Sequence, residues 1–101
     1  MPTMSEEVQA LRPRLVELRR DLHQHPELGF REVRTSGLIA RRLSALGYTV
    51  RTGLGKTGVT GFLEGARPGP TVLVRTEIDA LPILEAVDAP WKSTAPGAMH
   101  A

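Results

Sequence analysis

The spacing of the apolar residues changes once along the chain, close to Gly47, and this change constrains the fold more than any other feature. Before it, apolar residues recur every three or four positions, which is typical of a helix with one apolar face. The first such stripe consists of Val8, Leu11, Leu15, Leu18 and Leu22. After it, apolar residues alternate with polar ones or form short unbroken runs, which is typical of strands. Helices followed by strands predict an α/β fold.

The first helix is bounded by proline. Ser5, followed by two glutamates, suits a helix start. An interior proline removes a hydrogen bond and kinks a helix, so we expect the regular helix to run from about Pro13 to about Gln24. Residues before Pro13 would then form a separate turn or be loose. His25 precedes Pro26, which disfavours the helical conformation and marks the end of the helix.

A second helix and about three strands complete the expected set of elements. The helix is predicted over residues 31–46, with Gly47 at its C-terminal end. Strands are predicted over residues 48–51, 59–64 and 71–76. The third has an unbroken apolar centre, which indicates burial on both faces. Two helices and three strands would leave such a sheet incomplete, with open edges.

The composition excludes several classes of protein. A chain of 101 residues supports one small domain at most. It holds no cysteine, so it has no disulfide or thiolate metal site. No apolar run approaches the roughly 18 residues that span a bilayer, and the polar N-terminus is unlike a signal peptide, so we expect a cytoplasmic protein without a membrane segment. A net charge of only +2 and 4% aromatic residues speak against a nucleic-acid partner.

Two short motifs suggest ligands but favour simpler interpretations. The glycine-rich residues 53–58 lack the spacing of a phosphate-binding loop and lead into a strand, so they are expected to join two strands of a hairpin. His23 and His25 would point about 200° apart on a helix and could not share a metal ion there. Only Glu27 lies nearby as a further ligand, so these residues are expected to cap and turn the helix end.

The most informative stretch is residues 75–82, where the third strand ends. Ligands of open α/β sheets bind outside the carboxyl ends of the strands. Glu77 and Asp79 are two positions apart, so on an extended backbone they face the same side, and Pro82 then stops the strand. From the residues alone, these two acids form either a functional site or a solvated loop.

Three segments together resemble one family. Residues 18–30 resemble the N-terminal signature of the M20-type metal-dependent amidohydrolases, in the subgroup that includes hippurate hydrolase and the plant auxin-conjugate hydrolases. Residues 75–82 resemble that subgroup's Arg-Ala-Asp-x-Asp-Ala-Leu-Pro block. Residues 96–101, Pro-Gly-Ala-Met-His-Ala, resemble the start of its Met-His-Ala-Cys-Gly-His-Asp metal motif. The order and spacing of the three segments also agree with the family.

The resemblance implies roles for few residues. Asp79 occupies the position of the family's catalytic-site Asp, which lies beside the metal pair and orients a ligand. Glu77 stands where many members have a metal-binding His and where this subgroup has Asp, so its role stays open. His100 precedes the position of a ligand Cys and is not expected to be a ligand itself. His23 and Glu27 match a part of the signature that we expect to be structural.

The resemblance also implies an activity that this segment would not complete. Family enzymes use two divalent metal ions, zinc or manganese, to hydrolyse the amide bond of N-acyl amino acids, and a Glu acts as the general base. We expect residues 1–101 to be the N-terminal segment of such a catalytic domain, part of a zinc-peptidase-like α/β fold. The segment stops one residue before the first ligand, so we expect it to bind no metal tightly and to be inactive alone.

Two other interpretations stay open at the level of the sequence. The chain could be a stand-alone binding module with an Arg-rich helical face, because residues 1–56 hold 10 basic and 6 acidic side chains. It could instead be one half of a split hydrolase, with a complementing C-terminal half that docks onto the exposed sheet.

Overall fold

The computed structural model describes residues 4–101, which contain two helices followed by two strands. These elements are α1 (Glu6–Gln24), α2 (Val33–Ala45), β1 (Thr49–Leu54) and β2 (Gly58–Phe62). The two strands pair as an antiparallel sheet with open edges. The described chain is therefore an α/β unit with an incomplete sheet, as the sequence predicts.

The first helix begins earlier than expected. The Ser5 hydroxyl accepts a hydrogen bond from the Val8 N–H at 3.3 Å, and two glutamates occupy the first turn. Pro13 lies inside α1, so the expectation of a separate or loose segment before it was wrong. The cap and the favourable charges at the helix N-terminus offset part of the hydrogen bond lost at Pro13. The predicted end is confirmed, since α1 stops at Gln24 and His25 is its C-cap.

The second helix occupies the predicted region but is slightly shorter. It starts two residues later than expected and ends one residue earlier. Gly47 has a φ of 89°, the left-handed conformation that glycine adopts without strain. The prediction that Gly47 terminates the helix is confirmed.

The glycine-rich residues 53–58 join β1 and β2, as predicted for a hairpin. Thr49 pairs with Phe62 at the open end, and the register shifts near the turn. Gly53, Gly55 and Lys56 have positive φ values of 73°, 53° and 83°, which reverse the chain over a short distance. The strand ends differ from the expected ones by one to three residues.

The second helix packs directly against this hairpin. A Cβ atom built on Gly61 would lie 3.0 Å from Leu43 Cδ1 and 3.1 Å from Tyr48 Cδ1. These distances are shorter than ordinary carbon contacts, so a side chain at this point would require Leu43 and Tyr48 to shift. The hairpin therefore sits on one face of α2.

The third strand is absent from the described residues. Residues 71–76 form neither a helix nor a paired strand. Val72, Leu73 and Val74 are 82%, 87% and 84% exposed, so the predicted burial on both faces was wrong for this chain. A strand forms only when a neighbour accepts its backbone hydrogen bonds, and the hairpin pairs with itself.

The last part of the chain folds back onto the helices without regular elements of its own. Isolated bridges join Leu28 to Ala80 in parallel and Leu81 to Met99 antiparallel. Ala80 and Ala98 are 3% and 8% exposed, so they form the small apolar core of the described residues. Among residues 4–101, no helix is long and apolar enough to cross a bilayer.

Candidate functional site

Three segments that are distant in sequence meet at one place, which we call the motif junction: Glu27, Leu28, Ala80, Leu81 and Met99. The Ala80 N–H donates to the Glu27 carbonyl oxygen at 2.8 Å. Leu81 and Met99 exchange both backbone hydrogen bonds, at 2.9 and 3.0 Å. The junction joins the turn after α1, the residues that follow the predicted third strand, and the last residues of the chain.

Glu27 connects the motif junction to α2. Its Oε1 accepts hydrogen bonds from the Thr35 N–H at 2.6 Å and the Thr35 hydroxyl at 2.7 Å, and its Oε2 accepts from the Arg34 N–H at 3.0 Å. Arg34 and Thr35 lie in the first turn of α2, whose N–H groups have no partner within the helix. A carboxylate from outside the helix thus caps it, which is also favourable to the helix dipole.

The surroundings of Glu27 favour its charged form. Partial burial alone would raise the pKa of this carboxyl. The hydrogen bonds from Arg34 and Thr35, together with the Arg34 charge, outweigh burial and hold the pKa below its ordinary value. Glu27 is therefore an ionised structural cap, which agrees with the structural role that the sequence assigned to it.

A buried carboxylate, that of Glu32, ties the hairpin to the same helix end. Glu32, the N-cap residue of α2, is 3% exposed. Its Oε1 accepts a hydrogen bond from the Phe30 N–H at 3.0 Å, and its Oε2 accepts one from the Thr57 hydroxyl. The Ser36 hydroxyl donates to the Thr57 carbonyl oxygen at 2.5 Å. The hairpin turn, the start of α2 and the loop after α1 are thereby held together.

Asp79, the predicted site residue, lies immediately before the motif junction. Its side chain is exposed, and its Oδ2 lies 4.0 Å from the position of a Cβ built on Gly29. Glu32 Oε1 lies 3.9 Å from that same position. Both carboxylates therefore lie near the space that a Gly29 side chain would occupy.

Glu77 does not join Asp79 in a shared cluster. Its Oε1 lies 3.5 Å from both terminal nitrogens of Arg75, and both side chains are more than 70% exposed. An exposed pair of this kind contributes little stability. Glu77 thus lies at the surface, directly after the exposed residues 71–76, and Asp79 lies next to the motif junction.

The histidines do not form a common site. The His25 Nδ1 lies 2.8 Å from the Asp21 carbonyl oxygen, within its own helix end, as expected for a capping residue. The His23 Nε2 lies 2.7 Å from Glu85 Oε1, and these side chains are 17% and 8% exposed. The Glu85 partner lies 62 residues away, so no local sequence signal pointed to it.

Glu85 links α1 to the end of the chain. Its Oε2 accepts the Ser93 N–H at 2.5 Å, and the Ser93 hydroxyl donates to the Ala98 carbonyl oxygen at 2.6 Å. The backbone hydrogen bond from Ser93 and the contact with His23 lower the pKa of Glu85. The residue before Met99 is therefore held in place from α1, through Glu85 and Ser93.

His100 lies beside the motif junction with one nitrogen unused. Its Nε2 is buried and has no hydrogen-bond partner among residues 4–101. Burial lowers the pKa of His100, nearby His23 lowers it further, and the Asp79 carboxylate raises it. His100 is thus a neutral imidazole near Asp79 at neutral pH.

Sequence comparisons relate most of the chain to known proteins. No protein-family model matches the chain. The chain is 43% identical over 93 residues to the N-acetylcysteine deacetylase of Bacillus subtilis, covering 91% of this chain and 24% of that protein. It is 38% identical over 95 residues to the hippurate hydrolase of Campylobacter jejuni, covering 94% of this chain and 25% of that protein.

A solved structure extends the likeness from sequence to fold. The YxeP protein of Bacillus subtilis, described as a dinuclear metal-binding peptidase from the M20 family, superposes with a TM-score of 0.83 at 42% identity. The match covers 91% of this chain and 26% of that chain. The chain therefore resembles the N-terminal portion of M20-family proteins in both sequence and fold. It spans about a quarter of the length of the relatives that it matches.

The described side chains that could bind a metal ion lie apart from one another. The matched solved protein binds two metal ions. Across residues 4–101, no three His, Cys, Asp or Glu side chains gather closely enough to hold a metal ion. These side chains therefore do not form a metal site by themselves. Their roles rest on hydrogen bonding and position alone.

Proposed function

We propose that residues 1–101 are the N-terminal segment of the catalytic domain of an M20-type hydrolase that cleaves the amide bond of N-acyl amino acids. The motif junction carries this proposal. Three segments that resemble family signatures come together there through backbone hydrogen bonds, although more than 50 residues separate Glu27 from Ala80. The names of two matched proteins, a hippurate hydrolase and an N-acetylcysteine deacetylase, support an N-acyl amino acid as the substrate class.

Within this proposal Asp79 is the one residue of the segment that acts at the reacting site. Asp79 is exposed, and its carboxylate lies close to Gly29. It can accept a hydrogen bond from a group outside the described residues and orient that group, as carboxylates around metal ligands do. A divalent metal ion, zinc or manganese, would be held by residues beyond this segment.

The proposal is tested by replacing the matching quarter of the Bacillus subtilis YxeP protein with residues 1–101. The chimera is assayed for release of amino acids from N-acetyl and N-benzoyl amino acids. We expect hydrolysis with added Mn²⁺ or Zn²⁺, and a loss of at least about a hundredfold in kcat on Asp79→Asn. Asp88→Asn is the matched control, because among residues 4–101 Asp88 pairs only with the exposed Lys92. A folded chimera without activity, or equal activity in both variants, contradicts the proposal.

The isolated chain should show no hydrolysis. A reaction that depends on an activated water needs ligands that the described residues do not assemble. Purified residues 1–101 are incubated with the same substrates and metals, and free amino acid is measured. Metal-dependent release above the background rate would refute the predicted inactivity.

The binding-module interpretation receives less support. The Arg34 guanidinium donates to both carboxylate oxygens of Asp21 at 2.8 Å, and the Arg20 guanidinium stacks 3.7 Å from the centre of the Trp91 ring. Both cations are thus engaged within the chain. Steeply salt-dependent binding to nucleic acid would restore that interpretation. A cytoplasmic location remains part of the proposal.

A further inference from the structure

Two exposed side chains are carried by backbone in an unfavourable conformation. Phe30 and Lys56 have φ values of 65° and 83°, and among the described residues they alone combine a side chain with a positive φ. A bulky residue rarely adopts this left-handed conformation, although a glycine precedes each of the two in the sequence. Such strain persists only where the surrounding structure enforces it, and it concentrates at functional sites.

One buried carboxylate holds both strained loops in place. Glu32 is 3% exposed, and its Oε1 accepts a hydrogen bond from the Phe30 N–H at 3.0 Å. Its Oε2 accepts one from the hydroxyl of Thr57, the residue after Lys56. The Lys56 Nζ lies 5.4 Å from the centre of the Phe30 ring, within the range of a cation–π contact. The loop after α1 and the hairpin turn thus present these two side chains together, as the Phe30–Lys56 pair.

The Phe30–Lys56 pair is open to solvent although its backbone is fixed. Phe30 is 69% exposed, and Lys56 is exposed as well and forms no salt bridge within the described residues. The ring offers an apolar face, and the ammonium offers a positive charge without a carboxylate partner. A pair that only stabilised the fold would gain more from burial of the ring. These properties fit a ligand that carries both an apolar group and an anion.

The position of the pair relates it to Asp79. Phe30 directly follows Gly29, and the Asp79 Oδ2 lies 4.0 Å from the position of a Cβ built on Gly29. In an N-acyl amino acid, one peptide unit separates the acyl group from the carboxylate, a distance of about 5 Å. This distance is close to the 5.4 Å between the Phe30 ring centre and the Lys56 Nζ. One small molecule near Asp79 can therefore contact both side chains of the pair.

We propose that Phe30 and Lys56 are specificity-determining residues: the Phe30 ring contacts the acyl group of an N-acyl amino acid, and the Lys56 ammonium pairs with its carboxylate. Both residues bind the substrate and take no part in the reacting step. This inference rests on the proposed function, because it names the residues that select the substrate. An aromatic acyl group stacks on the ring over a larger area than an acetyl group does, so the pair favours N-benzoyl over N-acetyl amino acids.

Nuclear magnetic resonance of the full 101-residue chain tests the inference without any hydrolysis. The pair and the carboxylate that holds it belong to this chain, so the chain alone should bind. N-benzoylglycine is titrated in, and the amide resonances of Phe30 and Lys56 are followed. We expect saturable shifts at both residues. Binding should be at least about fivefold weaker for N-acetylglycine, which lacks the ring, and about threefold weaker for N-benzoylglycinamide, which lacks the carboxylate.

Two substitutions, each with a matched control, make the test specific. Phe30→Leu removes the ring and keeps an apolar side chain, so it should weaken binding of N-benzoylglycine at least about fivefold and leave N-acetylglycine unaffected. Lys56→Gln removes the charge and should weaken binding of both acids about threefold. The controls are Phe62→Leu and Arg51→Gln, at exposed positions in the paired strands of the hairpin, and they should bind as the wild type does.

The outcome for recognition is separable from the outcome for activity. The absence of saturable shifts at Phe30 and Lys56, or equal affinity of the two substituted chains and their controls, overturns the inference. Selective binding by the chain, together with a YxeP chimera that releases no amino acid, supports recognition and contradicts the proposed activity. An active chimera whose KM for N-benzoylglycine is unchanged by Phe30→Leu contradicts recognition and leaves the activity standing.

Discussion

Residues 71–76 lie just before the Ala80 and Leu81 part of the motif junction, yet the two regions differ in burial and in backbone hydrogen bonding. At the junction, Ala80 is 3% exposed and its N–H is bonded to Glu27. In the segment before it, Leu73 is 87% exposed and its backbone has no hydrogen-bond partner among the described residues. The first region is complete within the chain, and the second requires neighbours that the described residues do not supply.

This difference shows that hydrophobicity alone does not place a residue in a core. Residues 71–76 are among the most apolar of the chain, whereas the buried residues include the polar Glu32 and Thr35. Burial follows from the availability of hydrogen-bond partners and covering elements. At the motif junction the hydrogen-bond partners are supplied by the turn after α1 and by the last residues of the chain.

Removal of the Glu27 carboxylate should have the largest effect on the junction. Glu27→Ala leaves the N–H groups of Arg34 and Thr35 and the Thr35 hydroxyl without their acceptor. Loss of a charged cap and of these hydrogen bonds should lower the free energy of unfolding by about 3 kcal/mol. Urea unfolding followed by circular dichroism measures it. Glu64→Ala, at an exposed position, is the control and should change little; equal stability of both variants would show that the cap is dispensable.

Overpacking between α2 and the hairpin should have the next largest effect. A side chain at Gly61 would collide with Leu43 and Tyr48, so Gly61→Val should lower the free energy of unfolding by about 2 kcal/mol. The same unfolding experiment measures this change. Gly69→Ala is the control, because nothing lies within 4 Å of the added carbon. A neutral Gly61→Val would mean that the helix does not pack on the hairpin in solution.

Acid should lower the stability of the motif junction, whereas residues 71–76 have no backbone hydrogen bonds to lose. The folded-state pKa values of Glu27 and Glu85 lie below their ordinary value of 4.5. The stability that these groups contribute is therefore fully present above pH 4.5 and is lost as the pH falls through their folded-state pKa values. Unfolding free energy measured from pH 7 down to pH 3 should fall. The fall should be smaller in Glu27→Gln, and an identical pH profile in that variant would contradict the assignment.

The exposed residues 71–76 should tolerate a charged side chain without loss of stability in the isolated chain. Leu73→Asp adds an ion to a position that is already in water, so the free energy of unfolding should change by less than about 0.5 kcal/mol. Leu43→Asp, on the helix face against the hairpin, is the matched comparison and should destabilise strongly. A strongly destabilised Leu73→Asp would show that the segment is covered within the free chain.

Local signals in the sequence predicted much of the fold. The Ser5 cap, the His25-Pro26 boundary, the Gly47 terminator and the hairpin turn each depend on residues within one or two turns of chain, and all agree with the structure. The start of α1 was misplaced because the helix continues through Pro13 from the Ser5 cap, whereas the proline was expected to interrupt it. The candidate acid Asp79 was identified through its place at a strand end and through the family resemblance, and its role stays a prediction.

The partners of the site residues were outside the reach of such signals. Glu27 caps a helix that begins six residues later, His23 meets Glu85 across 62 residues, and Glu32 binds Thr57 of the hairpin turn. Each pair depends on how separate elements come together in space. No spacing rule links such residues, since hydrogen bonds of this kind form only after the chain has folded back on itself.

The sequence by itself determined the helices, the hairpin and the likeness to the M20 family, because period, caps and motifs are encoded in neighbouring residues. Only the tertiary structure decided that three motifs meet at Glu27, Ala80 and Met99, and that residues 71–76 stay bare. The physical reason is that local conformation depends on adjacent residues, whereas burial and hydrogen bonding depend on which elements are present to provide a partner.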